Sequence, residues 1–276
     1  MRNKFIRSNQ LHLSLGALNN RQPAKYGAII RGIKIVVCAT VFSALWSPAA
    51  YAYRPFEGTD ASTAEEGTFE LEIGVGHLRF GDERSLQLPS VVGNWGIAHD
   101  TEIVLEGQLN RHLGDTTEPH RTSLDETALS IKHVFRQGTL QKAAGPSIAG
   151  ECGILLPTLY GAPSVGASCA VITSLSGPAG AMHFNGALIR TREHTTNRFV
   201  SVILEGPDDW TVRPVAEIVT QRIPSEARIN SLLLGAIWKR SENLSFDVAL
   251  RRGRADGENI TEAKLGLTWN FSLNKK

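Results

Sequence analysis

The sequence predicts an all-β protein: a transmembrane, antiparallel up-and-down β-barrel of about 12 strands, preceded by a cleavable signal peptide. Three observations carry this. Stretches with an apolar residue at every second position recur about every 15 to 20 residues, and long helical periodicities are absent. These stretches run to about ten residues, whereas strands of soluble proteins usually run about 5–6. The chain opens on an export leader, yet no later run approaches the roughly 20 apolar residues of a membrane helix.

The leader comes first. Within "RGIKIVVCATVFSALWSPAAYA", Arg31 and Lys34 precede an apolar run, and Ala50-Tyr51-Ala52 forms a small-residue cleavage pattern. Cleavage is expected between Ala52 and Tyr53, making residues 1–52 a signal peptide with a long basic start. N-terminal sequencing of the membrane-bound protein checks this, and an intact residue 1 on most molecules would overturn it. Residues 1–52 hold seven Lys/Arg and no Asp or Glu; taking those seven from the 29 bases of the chain leaves 22 against 27 acids. The mature part is therefore acidic by about five charges, and nucleic-acid binding gets no support. Residues 53–68 are polar and acidic, with Pro55 and Gly58, and are expected to form a loose periplasmic lead-in.

The barrel is expected over 69–271, with a short polar tail at 272–276. In "FELEIGVGHLRF", Phe69, Leu71, Ile73 and Val75 share one face and Glu70, Glu72, Gly74 and Gly76 the other. "TEIVLEGQLN" sets Ile103, Leu105 and Leu109 against Glu102, Glu106, Gln108 and Asn110. "ALSIKHVFR" separates Leu129, Ile131 and Phe135 from Ser130, Lys132 and Arg136. Glu217 lies on the polar face of "TVRPVAEIVTQ". "LSFDVALRR" separates Leu244, Phe246, Val248 and Leu250 from Ser245, Asp247 and Arg251; "TEAKLGLTWNF" does the same for Leu265, Leu267, Trp269 and Phe271 against Lys264, Gly266 and Thr268. Counted this way the strands fall near 69–80, 84–95, 100–112, 125–137, 146–157, 165–176, 180–192, 198–205, 210–222, 229–240, 243–254 and 260–271.

The links suggest two ends. "GIAHD", "SGPAG", "GPDD" and "SEN" read as tight turns, and "LGDTTEPHRTS" and "GRADGEN" as longer loops, the outer-membrane arrangement with both termini in the periplasm. "QGTLQKAAG" is longer than that pattern prefers. Alternation alone fits a soluble sandwich as well. Strand length, polar faces with paired charges of both signs, and aromatics near strand ends (Phe69, Phe80, Trp95, Phe135, Trp210, Trp238, Trp269, Phe271) favour apolar faces on lipid and a polar lumen. Ten residues are thereby assigned to the lumen wall: Glu70, Glu72, Glu102, Glu106 and Lys132 in the first half; Arg136, Glu217, Asp247, Arg251 and Lys264 in the second. Cys152 and Cys169 are equidistant from the centre of the hairpin around "PTLYGAPS", so they are expected to face each other and form a disulfide in an oxidising compartment.

At "YRPFEGTDASTAEEGTFELEIG" the chain resembles the MetA-pathway-of-phenol-degradation-like family of outer-membrane transporters. The resemblance rests on Arg54-Pro55-Phe56, Thr59-Asp60-Ala61 and Gly67-Thr68-Phe69-Glu70-Leu71-Glu72, then on "LDETALSIKHVFR" with Asp125, Leu129 and Lys132. "GILLPT", "HFNGAL" and "VRPVAEI" with Glu217 follow, and last "LLLGAIWKRSENLSFDVALRRGRADGENITEAKLGLTWNF". Departures are a single Asp at 60, Leu159 where the family has Gly, and Asn185-Gly186 adjacent. The resemblance implies a barrel in the bacterial cell outer membrane with a transport role, its name pointing to aromatic compounds.

No enzyme is expected, and neither cofactor nor metal. His112 and His120 share a loop with Asp115 and Glu118 without tight metal-ligand spacing. His183 near Asn185 invites a Ser–His–Asn hydrolase, but the Ser-rich nucleophile strand of outer-membrane lipid hydrolases is not visible. The expected role is a narrow channel or transporter for small solutes. The alternatives are a plugged structural barrel, an exported soluble β-sheet binding protein and, last, a lipid hydrolase. Expected partners are outer-membrane lipid, the barrel-insertion machinery and an unidentified small permeant.

Overall fold

The computed structural model describes residues 54–114, 120–160, 162–222, 228–255 and 257–273. The signal peptide, the Ala52–Tyr53 junction, Asp115 and Glu118 lie outside them. The strands are β1 Thr68–Phe80, β2 Glu83–Ala98, β3 Thr101–Leu113, β4 Thr122–Arg136, β5 Ser147–Leu155, β6 Gly166–Gly177, β7 Gly180–Arg190, β8 Thr196–Glu205, β9 Val212–Arg222, β10 Arg228–Ser241, β11 Leu244–Ala255 and β12 Glu258–Ser272. Each pairs antiparallel with its sequence neighbours, and β1 pairs with β12 from Thr68 opposite Ser272 to Phe80 opposite Ile260. Closure leaves no sheet edge, which a strand in hydrocarbon requires because an unpaired backbone group has no water to bond. An even strand number puts both chain ends of the barrel at the same rim.

The alternation resolves as apolar outside and polar inside. Leu105, Ile131, Val171, Leu188, Ile218, Leu234 and Leu265 are exposed on the outer surface, while Lys132 and Glu102 inside have no exposed area. A soluble protein of this size would invert that. Aromatics collect at the rim that bears the termini: Phe69 stacks on Phe271 at 5.4 Å, Trp269 on Phe271 at 5.1 Å and Trp238 on Phe246 at 5.7 Å, with Trp95, Trp210 and Phe135 exposed beside them. Phe80 departs from the expected girdle. It packs inward, at the far rim, against a cluster of Leu78, Ile229, Ala255 and Ile260.

Two links differ from expectation. The "GRADGEN" loop reduces to two residues between Ala255 and Glu258, and β1–β2 also turns in two. Conversely the long "QGTLQKAAG" link, at the rim that bears the termini, carries a 3₁₀ turn at Thr139–Gln141 and folds back into the barrel mouth. Its Leu140 packs on Ala61, Val134, Ala149 and Ile172, and its length serves that contact.

Cys152 and Cys169 are directly opposed on β5 and β6, their Cα atoms 4.1 Å apart, and are disulfide-bonded. The bond closes a separation of 17 residues, for which chain entropy gives about 3 kcal/mol of stabilisation. Reduction is therefore expected to lower the urea midpoint of the folded barrel without changing its heat-modifiable migration. Two alkylatable thiols in unreduced protein would refute the bond.

Candidate functional site

The site is the lumen, and the sequence segment ahead of β1 occupies it. Residues 54–66 were expected as a loose lead-in; instead they run inside the barrel and leave at the rim that bears the termini. No alternation marks them, because they pair with side chains rather than with a neighbouring strand. The Glu217 carboxylate accepts from the backbone N–H of Glu57 at 2.7 Å and of Gly58 at 2.8 Å. Asn185 acts as a surrogate strand edge: its Oδ1 accepts from Thr59 N–H at 3.0 Å and its Nδ2 donates to Thr59 O at 2.9 Å. Ala61 N–H donates to Ser174 Oγ at 2.9 Å and Ala64 N–H to Glu102 Oε2 at 2.6 Å. Gln141 of the folded-back link donates to Ala61 O at 2.9 Å.

Two ionic groups flank these backbone contacts. Near the exit, Lys132 Nζ lies 3.6 Å from Asp60, 3.7 Å from Glu102 and 3.2 Å from Thr59 Oγ1. Deeper in, Glu57 pairs with Lys264 and, at 3.3 Å, with Arg251, which holds Glu262 at 2.5 Å; Lys264 also donates to Pro55 O at 3.3 Å. Arg54 reaches Asp247 at 3.5 Å. Its guanidinium lies where side chains at Gly74 and Gly266, which face each other across β1 and β12, would stand. A Cβ at Gly96 would likewise collide with the backbone of Ala64 and Glu65. Backbone approach demands glycine at 96, whereas glycine at 74 and 266 leaves the room that the Arg54 side chain occupies.

Beside the segment a cavity of about 300 Å³ remains. Phe56, Glu106, Glu126, Glu151 and Gln108 line it, with Leu155, Ile189 and Phe199 toward the far rim. Glu126 enters through a β-bulge: the register of β3 and β4 shifts between Glu106 and Gln108, and Glu126 takes a φ of 53°. A non-glycine residue held there is unusual, and bulges commonly re-aim a side chain in this way.

Of the ten residues assigned to the lumen from alternation, the structure places nine on the inner wall. Glu70 and Glu72 accept from Asn94 at 3.1 Å each; Glu102, Lys132, Glu217, Asp247, Arg251 and Lys264 hold the segment; Glu106 lines the cavity. Arg136 is the exception. A second register shift, between Val134 and Arg136, leaves it exposed at the rim against Gly145. Sequence reasoning missed Arg54, Glu57 and Asp60, which carry no strand period. It also missed Glu126, hidden by its bulge. Glu262 and Glu151 were recoverable, since each shares the parity of an assigned or polar neighbour on its strand.

His183 on β7 lies directly across from Ser174, Nδ1 to Oγ 2.8 Å, with Nε2 3.2 Å from Glu205. These are the residue types of a hydrolytic relay. Here Ser174 is buried and its oxygen accepts the Ala61 N–H, so the relay anchors the segment. Among the described residues no group of three or more His, Cys, Asp or Glu is placed to hold a metal.

The architecture has solved counterparts. The COG4313 outer membrane channel from Pseudomonas putida F1 superposes with a TM-score of 0.60 at 8% identity, over 78% of this chain and 100% of that one. The NanC porin follows with a TM-score of 0.52 at 5% identity, over 72% and 98%, and the KdgM porin with 0.50 at 9%, over 72% and 99%. No family model matches the chain, and no curated protein matches its sequence. At such identities the likeness establishes the fold: a twelve-stranded barrel of the outer-membrane channel and porin type.

Proposed function

We propose that the protein is a narrow channel of the bacterial outer membrane for small solutes, closed in this state by its own N-terminal segment. One observation carries the reading: residues 54–66 fill the middle of a polar lumen and are held there largely by hydrogen bonds and ion pairs to wall side chains. Such contacts exchange readily for water, each with a net worth of about 0.5–1.5 kcal/mol, or about 1.5–3 kcal/mol where a charge takes part. A segment so held can leave its seat without the barrel unfolding. The fold shared with channels and porins supports the same reading. Toward the far rim the inner wall turns apolar on two sides, at Leu78, Phe80, Ile229, Ala255 and Ile260 and at Leu155, Ile189 and Phe199. That lining suits solutes with an aromatic or aliphatic body, in line with the resemblance to the phenol-degradation-like transporters.

Glu217→Gln tests the closure. Neutralising the acceptor of two backbone N–H groups is expected to weaken the seat by about 1.4 kcal/mol and raise the open probability in planar-bilayer recordings about tenfold. A change in ion selectivity with no change in open time would mean that Glu217 only charges the wall. The competing reading is a purely structural barrel, favoured by how completely the segment fills the lumen; a folded protein silent both intact and without its segment would establish it.

A further inference from the structure

The cavity beside the segment brings together three carboxylates from three consecutive strands. Glu106 belongs to β3, Glu126 to β4 and Glu151 to β5, and all three line the space. Glu126 is there only because the bulge turns it inward. Glu151 accepts from Ser130 Oγ at 2.5 Å. Among the described residues Glu106 and Glu126 have neither a hydrogen bond nor an ion pair. Gln108, 5% exposed, also lines the cavity, and its amide nitrogen is buried without a partner.

The bases that reach the same space are committed elsewhere. Lys264, whose charge also reaches Glu126, pairs with Glu57; Arg251 holds Glu262 and Glu57; Arg54 reaches Asp247. Arg192 donates to Leu156 O at 2.7 Å and to Thr127 O at 2.8 Å. An enclosed carboxylate without a cation is costly, because little water is there to solvate it. An apolar floor adjoins the acids. Glu106 is directly opposite Ala128 and Ala128 directly opposite Leu155; Ala128, Leu155 and Ile189 form one cluster, with Phe199 packed on it. The volume of about 300 Å³ falls at the lower end of small-molecule sites, which run from about 300 to 1,000 Å³. The lining runs to Arg192 in the turn between β7 and β8, so the cavity approaches the far rim, away from the exit of the segment.

We propose that this cavity is a binding site for a small protonated amine with an aromatic or aliphatic body; as the class of solute that the lumen admits, it rests on the channel reading above. An ammonium brings three N–H donors and no acceptor, which suits three carboxylates and excludes an anion. The body of the amine takes the place of water on Leu155, Ile189 and Phe199. The Gln108 amide is left to bond an oxygen on the ligand. A bare metal ion does not fit, since among the described residues no group of three or more His, Cys, Asp or Glu is placed to hold one.

Tyramine is the probe, because it carries an ammonium, a ring and a phenolic oxygen. The refolded full mature chain in detergent micelles is titrated by calorimetry at neutral pH, with protein-free micelles as the blank. The titrants are tyramine, its neutral analogue tyrosol, para-hydroxyphenylpropionate and ethylamine. Wild type is expected to bind tyramine at least about tenfold more tightly than any of the other three, as charge-assisted hydrogen bonds together with burial of the ring imply. E106Q/E126Q is expected to lose that preference while keeping heat-modifiable migration. E242Q, which removes an exposed charge at the turn between β10 and β11, is expected to keep it. Tyrosol or the propionate binding as tightly as tyramine overturns the proposal, and so does an unchanged double variant. Ethylamine binding as tightly marks a generic cationic preference of the wall and overturns it too. Should the double variant not fold, the wild-type comparison of the four titrants decides. Binding is read without conductance: a silent barrel that prefers tyramine refutes the channel alone, and a conducting barrel without that preference refutes the amine site alone.

Discussion

A mature chain lacking residues 54–66 is expected to fold into the same barrel and to conduct steadily, and the intact protein is expected to conduct only in rare, brief openings. The strands do not need the segment: the β1–β12 seam is a continuous ladder from Thr68 to Phe80, and every neighbouring pair is closed by backbone hydrogen bonds. Of the charges it leaves behind, Lys132 keeps Glu102 at 3.7 Å and Arg251 keeps Glu262 at 2.5 Å, while Asp247 exchanges Arg54 for water. Water entering the vacated lumen hydrates Glu217, Asn185 and Ser174. This is the largest functional effect the structure implies, because it removes the whole obstruction at once, whereas Glu217→Gln only biases its seat. Planar-bilayer recording with heat-modifiability as the folding control is decisive. A folded, silent barrel would refute the channel and leave the structural reading.

Leu265→Arg is expected to block membrane assembly. Leu265 sits at the centre of β12 on the outer surface, 55% exposed, opposite Val75 and Val248. An arginine at that depth on lipid costs about 2–4 kcal/mol, a large share of a stability that in folded proteins is about 5–15 kcal/mol in total. Refolding yield into lipid vesicles, read as the heat-modifiable fraction, should collapse. Full yield would place that face away from hydrocarbon and sink the assignment of the outer surface. The adjacent Lys264→Leu makes the inner-wall comparison. Alternation alone marks it as a tolerant lumen position, but Lys264 pairs with Glu57, and its loss removes that contact while Arg251 keeps its own. That variant should assemble and open more often, so one residue's difference in register separates a folding defect from a gating defect.

The face of each strand was legible in the sequence because side-chain direction in a strand has a period of two, and no distant contact alters that parity unless a bulge intervenes. It placed Glu70, Glu102, Glu217 and Lys264 inside, Leu265 and Trp269 outside, and Cys152 opposite Cys169, since a hairpin pairs residues equidistant from its centre. The resemblance at Arg54-Pro55-Phe56 and Thr59-Asp60-Ala61 singled out the residues that enter the lumen without saying where they go. What fills the lumen was decided only in three dimensions. The segment's partners Asn185, Glu217, Arg251 and Lys264 lie more than a hundred residues along the chain, and a polar stretch with Pro55 and Gly58 has the same local signature whether it is solvated or enclosed. Glu126 and Arg136 escaped for a related reason: each sits at a register shift, and an extra residue in one strand breaks the parity from which direction was read. Alternation thus determined the wall and its two faces. Closure of the barrel, which brings β1 beside β12 and the other strands around one short segment, determined what the inner face holds.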